Sequence, residues 1–299
     1  MSGGVCVILN PAAGRGRGAR SLSTIAPAFA AHGIRDIRTS DRPGGERELA
    51  RQAIEEGCGT LVAVGGDGTW SQVASAILDA RAPCRLALLA AGTGNDFART
   101  LGVPARDAVA TARLAVDGAD VAIDVGRIEE HWFLNIAGFG FDIAVLEDIE
   151  KIPWLKGEAL YRFSALRQLV GYPGVEIGIR SPAAGRDVRR HLMLIVANAR
   201  YFGGAFHIAP DASLTDGRLD AIAILDTHPL GRMKLFNAAG TGAHVKQREV
   251  VSEQAERFTL RFPAPPAYET DGEYRRAHSA ELEVACVPRA LRVVAPEAP

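Results

Sequence analysis

The stretch TLVAVGGDGTWSQVASAIL, residues 60–78, decides the fold. Leu61 to Val64 form an apolar run of strand length, and Trp70, Val73, Ala74, Ile77 and Leu78 fall on one stripe at helical spacing. Between them lies a loop of three glycines around Asp67. A strand, a glycine-rich loop and a helix in this order suit phosphate, because glycine lets backbone N–H groups approach an anion at a helix N-terminus. The same residues also fit a plain tight turn, with Thr69 as N-cap and Gln72 as its capping-box partner. No lysine follows the loop, so the pattern G-x-x-x-x-G-K-[ST] is absent, and GRGRGA at 14–19 lacks the third glycine of the dinucleotide fingerprint. Charge for a phosphate must come from elsewhere: Mg²⁺ held by Asp67 or Asp96, the helix dipoles, or Arg15 and Arg17.

Working outward, the same grammar repeats across residues 5–117. VCVILN precedes a loop PAAGRGRG and a helix over 19–33; a strand over 34–39 precedes a helix over 47–57; RLALLA leads into GTGND at 92–96. This alternation predicts an α/β domain with a mostly parallel sheet, helices on both faces and three glycine-rich loops at one edge. That edge, beyond the carboxyl ends of the strands, is where such sheets bind ligands.

After about Val121 the pattern becomes strand-rich, with runs at 121–128, 131–138, 174–181, 191–199, 217–225, 256–263 and 280–287, several of them alternating with period two. One helical stretch, 155–170, interrupts them, and 228–242 offers another. The expectation is a C-terminal all-β domain, a sandwich or barrel with helical insertions, and the sandwich is the form taken. The predicted division is 1–122, 123–288 and a segment 289–299 that returns to the first domain. YETDGEYRR at 268–276 suits a hairpin turning on Asp271 and Gly272, while its Glu273 also suits a general base. In PDASLTDGRLD at 210–220, Asp216 suits a turn or a hard cation.

With 34 basic and 35 acidic residues the net charge is -1, and no basic tail is present to grip nucleic acid. The four cysteines show no metal-ligand spacing, as expected of reduced cytoplasmic thiols. No apolar run reaches the roughly 18–20 residues that span a bilayer, so membrane contact is expected to be peripheral. Its candidate is 152–170, where Trp154, Tyr161 and Phe163 lie beside Lys151, Lys156 and Arg162; the same stretch also suits a helix packed on the sandwich.

Taken together, NPAAG at 10–14, VGGDGT at 64–69, GTGNDFAR at 92–99, LNIAGFGFD at 134–142, the block 198–220 and DGE at 271–273 resemble the diacylglycerol kinase catalytic-domain family. Its soluble bacterial lipid kinases are the nearest in pattern, and it is similar to sphingosine kinases and more remotely to NAD kinases. The resemblance implies an ATP-dependent kinase with Mg²⁺, acting on a lipid at the membrane surface, and homodimers occur in the family. It places the nucleotide against Asn10, Thr39, Gly65, Gly66, Asp67, Gly68, Thr69, Trp70, Ser71 and Thr93. Asp67 and Asp96 serve the phosphate-bound metal, Glu273 is the base, and a structural magnesium falls on Asp216 with the carbonyls of Ser213 and Arg218. Relatives commonly carry Asn-Glu where this chain has Ser71-Gln72. Kinases of sphingoid bases, phosphatidylglycerol or NAD, and a nucleotide- or lipid-sensing module of low turnover, are the alternatives.

Overall fold

Strands that are apolar along their length must be covered on both faces, and the runs VCVIL, LVAV and LALLA of the first half are of this kind. In the computed structural model, which describes residues 3–42, 44–103, 106–152, 157–204 and 206–295, β1 (Val5–Leu9), β2 (Asp36–Thr39), β3 (Thr60–Gly65) and β4 (Arg85–Ala90) form a parallel sheet in the order β2-β1-β3-β4. The helices are α1 (Ala13–Ala30), α2 (Gly45–Glu55), α3 (Asp67–Ala80), the short α4 (Asp96–Thr100) and α5 (Ala108–Asp117). Val7, Leu9, Val62, Val64, Ala87 and Leu89 pack on one face with Ile25 and Phe29 of α1 and Ala112 and Ala115 of α5. The intervening strand residues point the other way, where the indole of Trp70 in α3 donates to the carbonyl of Ala63 at 3.1 Å.

The second half comprises β5 (Asp120–Ile128), β6 (His131–Phe133), β7 (Ile136–Gly140), α6 (Phe141–Glu150), α7 (Gly157–Gly171), β8 (Val175–Arg180), β9 (Gly185–Ala197), the small hairpin β10 (Tyr201–Phe202) and β11 (Phe206–His207), and β12 (Leu219–Leu225). After these come α8 (Pro229–Ala239), β13 (Val250–Ala255), β14 (Arg257–Arg261), β15 (Ala267–Thr270), β16 (Glu273–Arg276) and β17 (Glu281–Val294). Their pairing is antiparallel throughout β16-β15-β7-β9-β8-β14, with β12 beside β9 and β13. Alternation on β9 divides the core: Leu194 and Val196 enter a cluster with Phe139, Phe258 and Tyr268, whereas Ile195 and Ala197 face Phe141 of α6, Leu169 of α7 and Leu235 of α8. The outer face of this sheet is thus apolar because three helices cover it. The fold is an α/β domain followed by a β-sandwich-like domain.

The chain divides into two compact units. One runs to Val125 and includes Ser213–Asp216 and the chain from Val287; the other is Gly126–Ala212 with Gly217–Cys286. In the first unit the end of β17 joins the sheet parallel to β4, Arg292 opposite Arg85.

Two local expectations are corrected, and one element is added. PAAGRGRG is helix from Ala13 rather than loop, because the Asn10 Oδ1 accepts the Ala12 N–H at 2.9 Å and the Asn10 carbonyl the Ala13 N–H at 3.2 Å, closing a turn that starts α1. Thr69 does not cap α3: the cap is Gly66 and the helix starts at Asp67, leaving Thr69 in the first turn. Residues 141–150, to which the sequence reading assigns no element, are helix, with Phe141, Ile143 and Val145 buried.

Candidate functional site

Parallel register brings Leu9, Thr39, Gly65 and Ala90 to one edge, so the loops that follow them are neighbours. Two glycines let the second and third loops touch backbone to backbone. A Cβ on Gly92 would stand 2.6 Å from the Gly66 Cα, and one on Gly66 3.0 Å from the Gly92 Cα. Gly65 yields to Thr69 in the same way, since a Cβ there would lie 2.3 Å from the Thr69 Oγ1. Gly92→Ala is therefore expected to cost about 1–3 kcal/mol through overpacking. Denaturant unfolding checks this, and an unchanged midpoint would show that the loops separate without cost.

Side chains complete the edge. The Asn10 Nδ2 donates to the Thr69 Oγ1 at 3.1 Å, which ties the first loop to the second. The Phe97 N–H donates to the Asp67 Oδ1 at 2.9 Å, which ties the start of α3 to the start of α4. Asn95 caps α4 in a left-handed conformation (φ 57°) and its Nδ2 donates to the Gly92 carbonyl at 3.2 Å. Asp96 is buried, with the Arg99 Nη1 3.6 Å from its Oδ1. Asn10, Thr69, Asp67 and Asp96 are thus brought together around two helix N-termini, whose first-turn N–H groups have no partner within their helix. Thr39, Gly68 and Thr93 are exposed on the segments that form this edge. The side chains of Trp70 and Ser71 are buried, the indole fully so. The side chains of Arg15 and Arg17 lie outside the described residues.

In the second unit Asp271 and Gly272 form the hairpin turn between β15 and β16, with φ of 50° and 87°. The turn is more than a connection. Asp271 accepts the N–H groups of Leu134 and Asn135 at 2.8 Å each and of Ile136 at 3.1 Å, so one carboxylate anchors the hairpin to the start of β7. Glu273 follows on β16, opposite Thr270; its Oε2 accepts from the Arg275 Nη2 at 2.7 Å, while the Arg275 Nε donates to the Thr270 Oγ1 at 2.8 Å. Arg275 holds the Glu273 side chain to the hairpin.

Two further carboxyls were not singled out by sequence. Asp142, in the first turn of α6, has both carboxyl oxygens buried, and Glu269 on β15 is 2% exposed. Burial, then Asp142 itself, pushes Glu269 well above the usual carboxylate range; burial likewise raises Asp142. Beside Asp142 an apolar cavity of about 60 Å³ is lined by Phe141, Leu169, Leu192, Phe202 and Phe236. On α7 the side chains of Phe163, Leu166 and Val170 form an outward apolar row. Of the stretch 152–170, Trp154 and Lys156 and the side chains of Tyr161 and Arg162 lie outside the described residues.

Ser213, Asp216 and Arg218 stand in the loop between β11 and β12, where Asp216 and Arg218 are exposed. The Leu214 carbonyl accepts the N–H of the buried Asp124 at 2.7 Å, and the Asp124 Oδ1 accepts the Arg289 N–H at 2.8 Å, which fixes the segment carrying Ser213 and Asp216. A carboxylate with loop carbonyls is a hard oxygen donor set that fits Mg²⁺. Asp67 and Asp96 fit the same ion by the same chemistry. No helix among the described residues is long and apolar enough to cross a membrane.

Comparison with known proteins accords with this geometry. Residues 4–128 match the family model of the diacylglycerol kinase catalytic domain, and residues 135–295 match the YegS C-terminal NAD kinase beta sandwich-like domain. The chain is 29% identical to a diacylglycerol kinase of Mycobacterium tuberculosis, covering 98% of this chain and 96% of the relative. It is 32% identical to a protein named "Probable lipid kinase YegS-like" from Pseudomonas putida, covering 78% of this chain and 83% of the relative. Among solved structures, a diacylglycerol kinase from Bacillus anthracis superposes with a TM-score of 0.74 at 19% identity, covering 99% of this chain and 97% of that one. An NAD kinase from Archaeoglobus fulgidus in complex with ATP superposes at 0.56 and 12% identity, covering 98% and 94%. These two share the fold. On the strength of its matched domains and relatives, the chain belongs to the diacylglycerol kinase catalytic-domain family of lipid kinases and is a kinase.

Proposed function

We propose that this kinase transfers the γ-phosphate of ATP to a hydroxyl of a lipid such as diacylglycerol, with Glu273 as general base. The observation that carries the phosphate half is the bond from the Phe97 N–H to Asp67, which joins the GGDGT and GTGND loops and fixes a carboxylate between two helix N-termini. Backbone N–H groups at the start of α3 bind the phosphates, Thr69 and Asn10 orient the loop, and Thr39 and Thr93 flank the nucleotide. Asp67 and Asp96 would hold Mg²⁺, which when bound neutralises phosphate charge. Asp216, with the carbonyls of Ser213 and Arg218, would hold a structural Mg²⁺. Glu273 accepts the proton of the attacking hydroxyl, and its contact with Arg275 keeps it oriented.

The acceptor is read as lipid because the second unit offers a largely apolar cavity and the outward row of Phe163, Leu166 and Val170 on α7, which suits contact with a bilayer surface. The test is transfer of labelled phosphate from ATP to a panel of diacylglycerol, phosphatidylglycerol, a sphingoid base and NAD. Phosphorylation of a lipid and not of NAD is expected, and the reverse result would overturn the reading. Glu273→Gln is expected to lower kcat by about 10²-fold or more, with KM for ATP unchanged. Wild-type turnover of that variant at saturating substrates would remove Glu273 from the role of base.

A further inference from the structure

We propose that Asp142 and Glu269 hold one proton between them, and that this shared-proton contact clamps the β15–β16 hairpin onto β7 and α6, making both carboxyls positioning residues for Glu273. The last clause rests on Glu273 being the base. Glu269 stands opposite Gly138 of β7 and Asp142 begins α6, so the two side chains approach from different elements. They meet over Gly138: a Cβ there would be 2.0 Å from the Asp142 Oδ2 and 3.1 Å from the Glu269 Oε1. Asp142 Oδ1 and Oδ2 and Glu269 Oε1 are buried without a hydrogen-bonding partner among the described residues, so each carboxyl has the other as its polar neighbour over Gly138. A hydrogen bond between two carboxyls needs a proton on one of them.

Electrostatics requires the same. Among the described residues neither carboxyl forms an ion pair, and Asp271, two residues beyond Glu269, adds a third acidic group. Two unit charges 4 Å apart repel by about 4 kcal/mol at a near-surface effective dielectric, and burial adds to that cost. The other charged or titratable groups around the pair are committed elsewhere. Glu147 of α6 accepts from the Tyr274 hydroxyl at 3.0 Å, Arg232 of α8 pairs with Asp226 at 2.7 Å, and Arg275 pairs with Glu273. Tyr172, after α7, has its hydroxyl pushed up by burial and then by the charge of Asp142, so it stays neutral. The proton shared by the two carboxyls is the device that lets them stay.

The consequence falls on the hairpin. β15 meets β7 through two paired positions, Glu269 with Gly138 and Thr270 with Ala137, and the Asp271 N–H donates to the Ile136 carbonyl at 3.1 Å. Beyond this short ladder and the buried Tyr268 stacked on Phe139, side-chain contacts hold it: Asp271 with three N–H groups on one side of the turn, and the Asp142–Glu269 contact on the other. Thr270, the next residue, stands opposite Glu273. A shift at Glu269 is transmitted to the base through one residue of strand.

The test combines hydrogen-exchange protection of amides 267–276 with steady-state kinetics across pH 6–10. Glu269→Ala is expected to lose about tenfold or more in protection and in kcat at neutral pH, with KM for ATP unchanged. Glu269→Gln, whose amide N–H replaces the shared proton, is expected to retain both and to lack the alkaline loss of protection seen in the wild type. Asp142→Asn, which supplies the N–H from the other side, is expected to match Glu269→Gln. Unchanged protection in Glu269→Ala would overturn the clamp, as would a loss in both amide variants as large as in Glu269→Ala. If no lipid is phosphorylated, or if Glu273→Gln keeps turnover, the functional reading fails while the protection pattern still reports on the clamp.

Discussion

Asp67→Asn is expected to lower kcat by about 10³-fold or more while the fold is retained. The Asp67 carboxylate has two separable duties. An asparagine side chain still presents an oxygen to the Phe97 N–H, so the link between α3 and α4 survives. What disappears is the negative charge that would hold Mg²⁺ against the phosphates, and groups that stabilise transferring phosphoryl charge are worth about 10³-fold or more. Asp67→Ala removes both duties. It leaves the N–H of the buried Phe97 without its acceptor, at a further cost in stability of about 1–3 kcal/mol. Kinetics at saturating ATP, lipid and Mg²⁺, alongside denaturant unfolding of both variants, checks the separation. Wild-type kcat in Asp67→Asn would show that its charge is not needed.

The second large effect is on stability against pH. Burial raises Glu269 and Asp142 above their usual values, so between the unfolded values and the folded ones the native pair keeps a proton that the unfolded chain has released. Stability that is fully present below the unfolded values, 4.5 for Glu269 and 3.8 for Asp142, is lost as pH rises toward the folded ones. The slope is about 1.4 kcal/mol per pH unit for each such proton. The double variant Asp142→Asn with Glu269→Gln carries no such protons. Its unfolding midpoint should stay flatter than that of the wild type from about pH 5 upward, and the two curves should diverge as pH rises. Parallel curves over that range would show that the pair is ionised in the native state.

Much of the fold was legible because the first half obeys local rules. Buried parallel strands read as apolar runs such as Leu61 to Val64, and a Gly-Gly-Asp-Gly-Thr loop before a helical stripe has one natural place, the carboxyl edge of a sheet. The start of α1 was not legible, since glycines at 14, 16 and 18 read as loop and the turn that starts the helix is closed by Asn10. α6 was hidden for the opposite reason: its apolar residues extend those of β7, and periodicity does not distinguish a short buried helix from a strand.

What the sequence determined by itself is the chemistry available: glycines that admit phosphate, the acids Asp67, Asp96 and Glu273, and an order of motifs that marks the family. Only the tertiary structure decided how those acids are held. Asp271 reaches Leu134 across 137 positions and Glu269 meets Asp142 over Gly138. Trp70, beside the loop in sequence, turns into the core. The physical reason is that local pattern encodes which face of an element is buried, whereas the partner of a buried carboxyl is set by strand register and by the space a missing Cβ leaves, and both exist only once distant segments have packed.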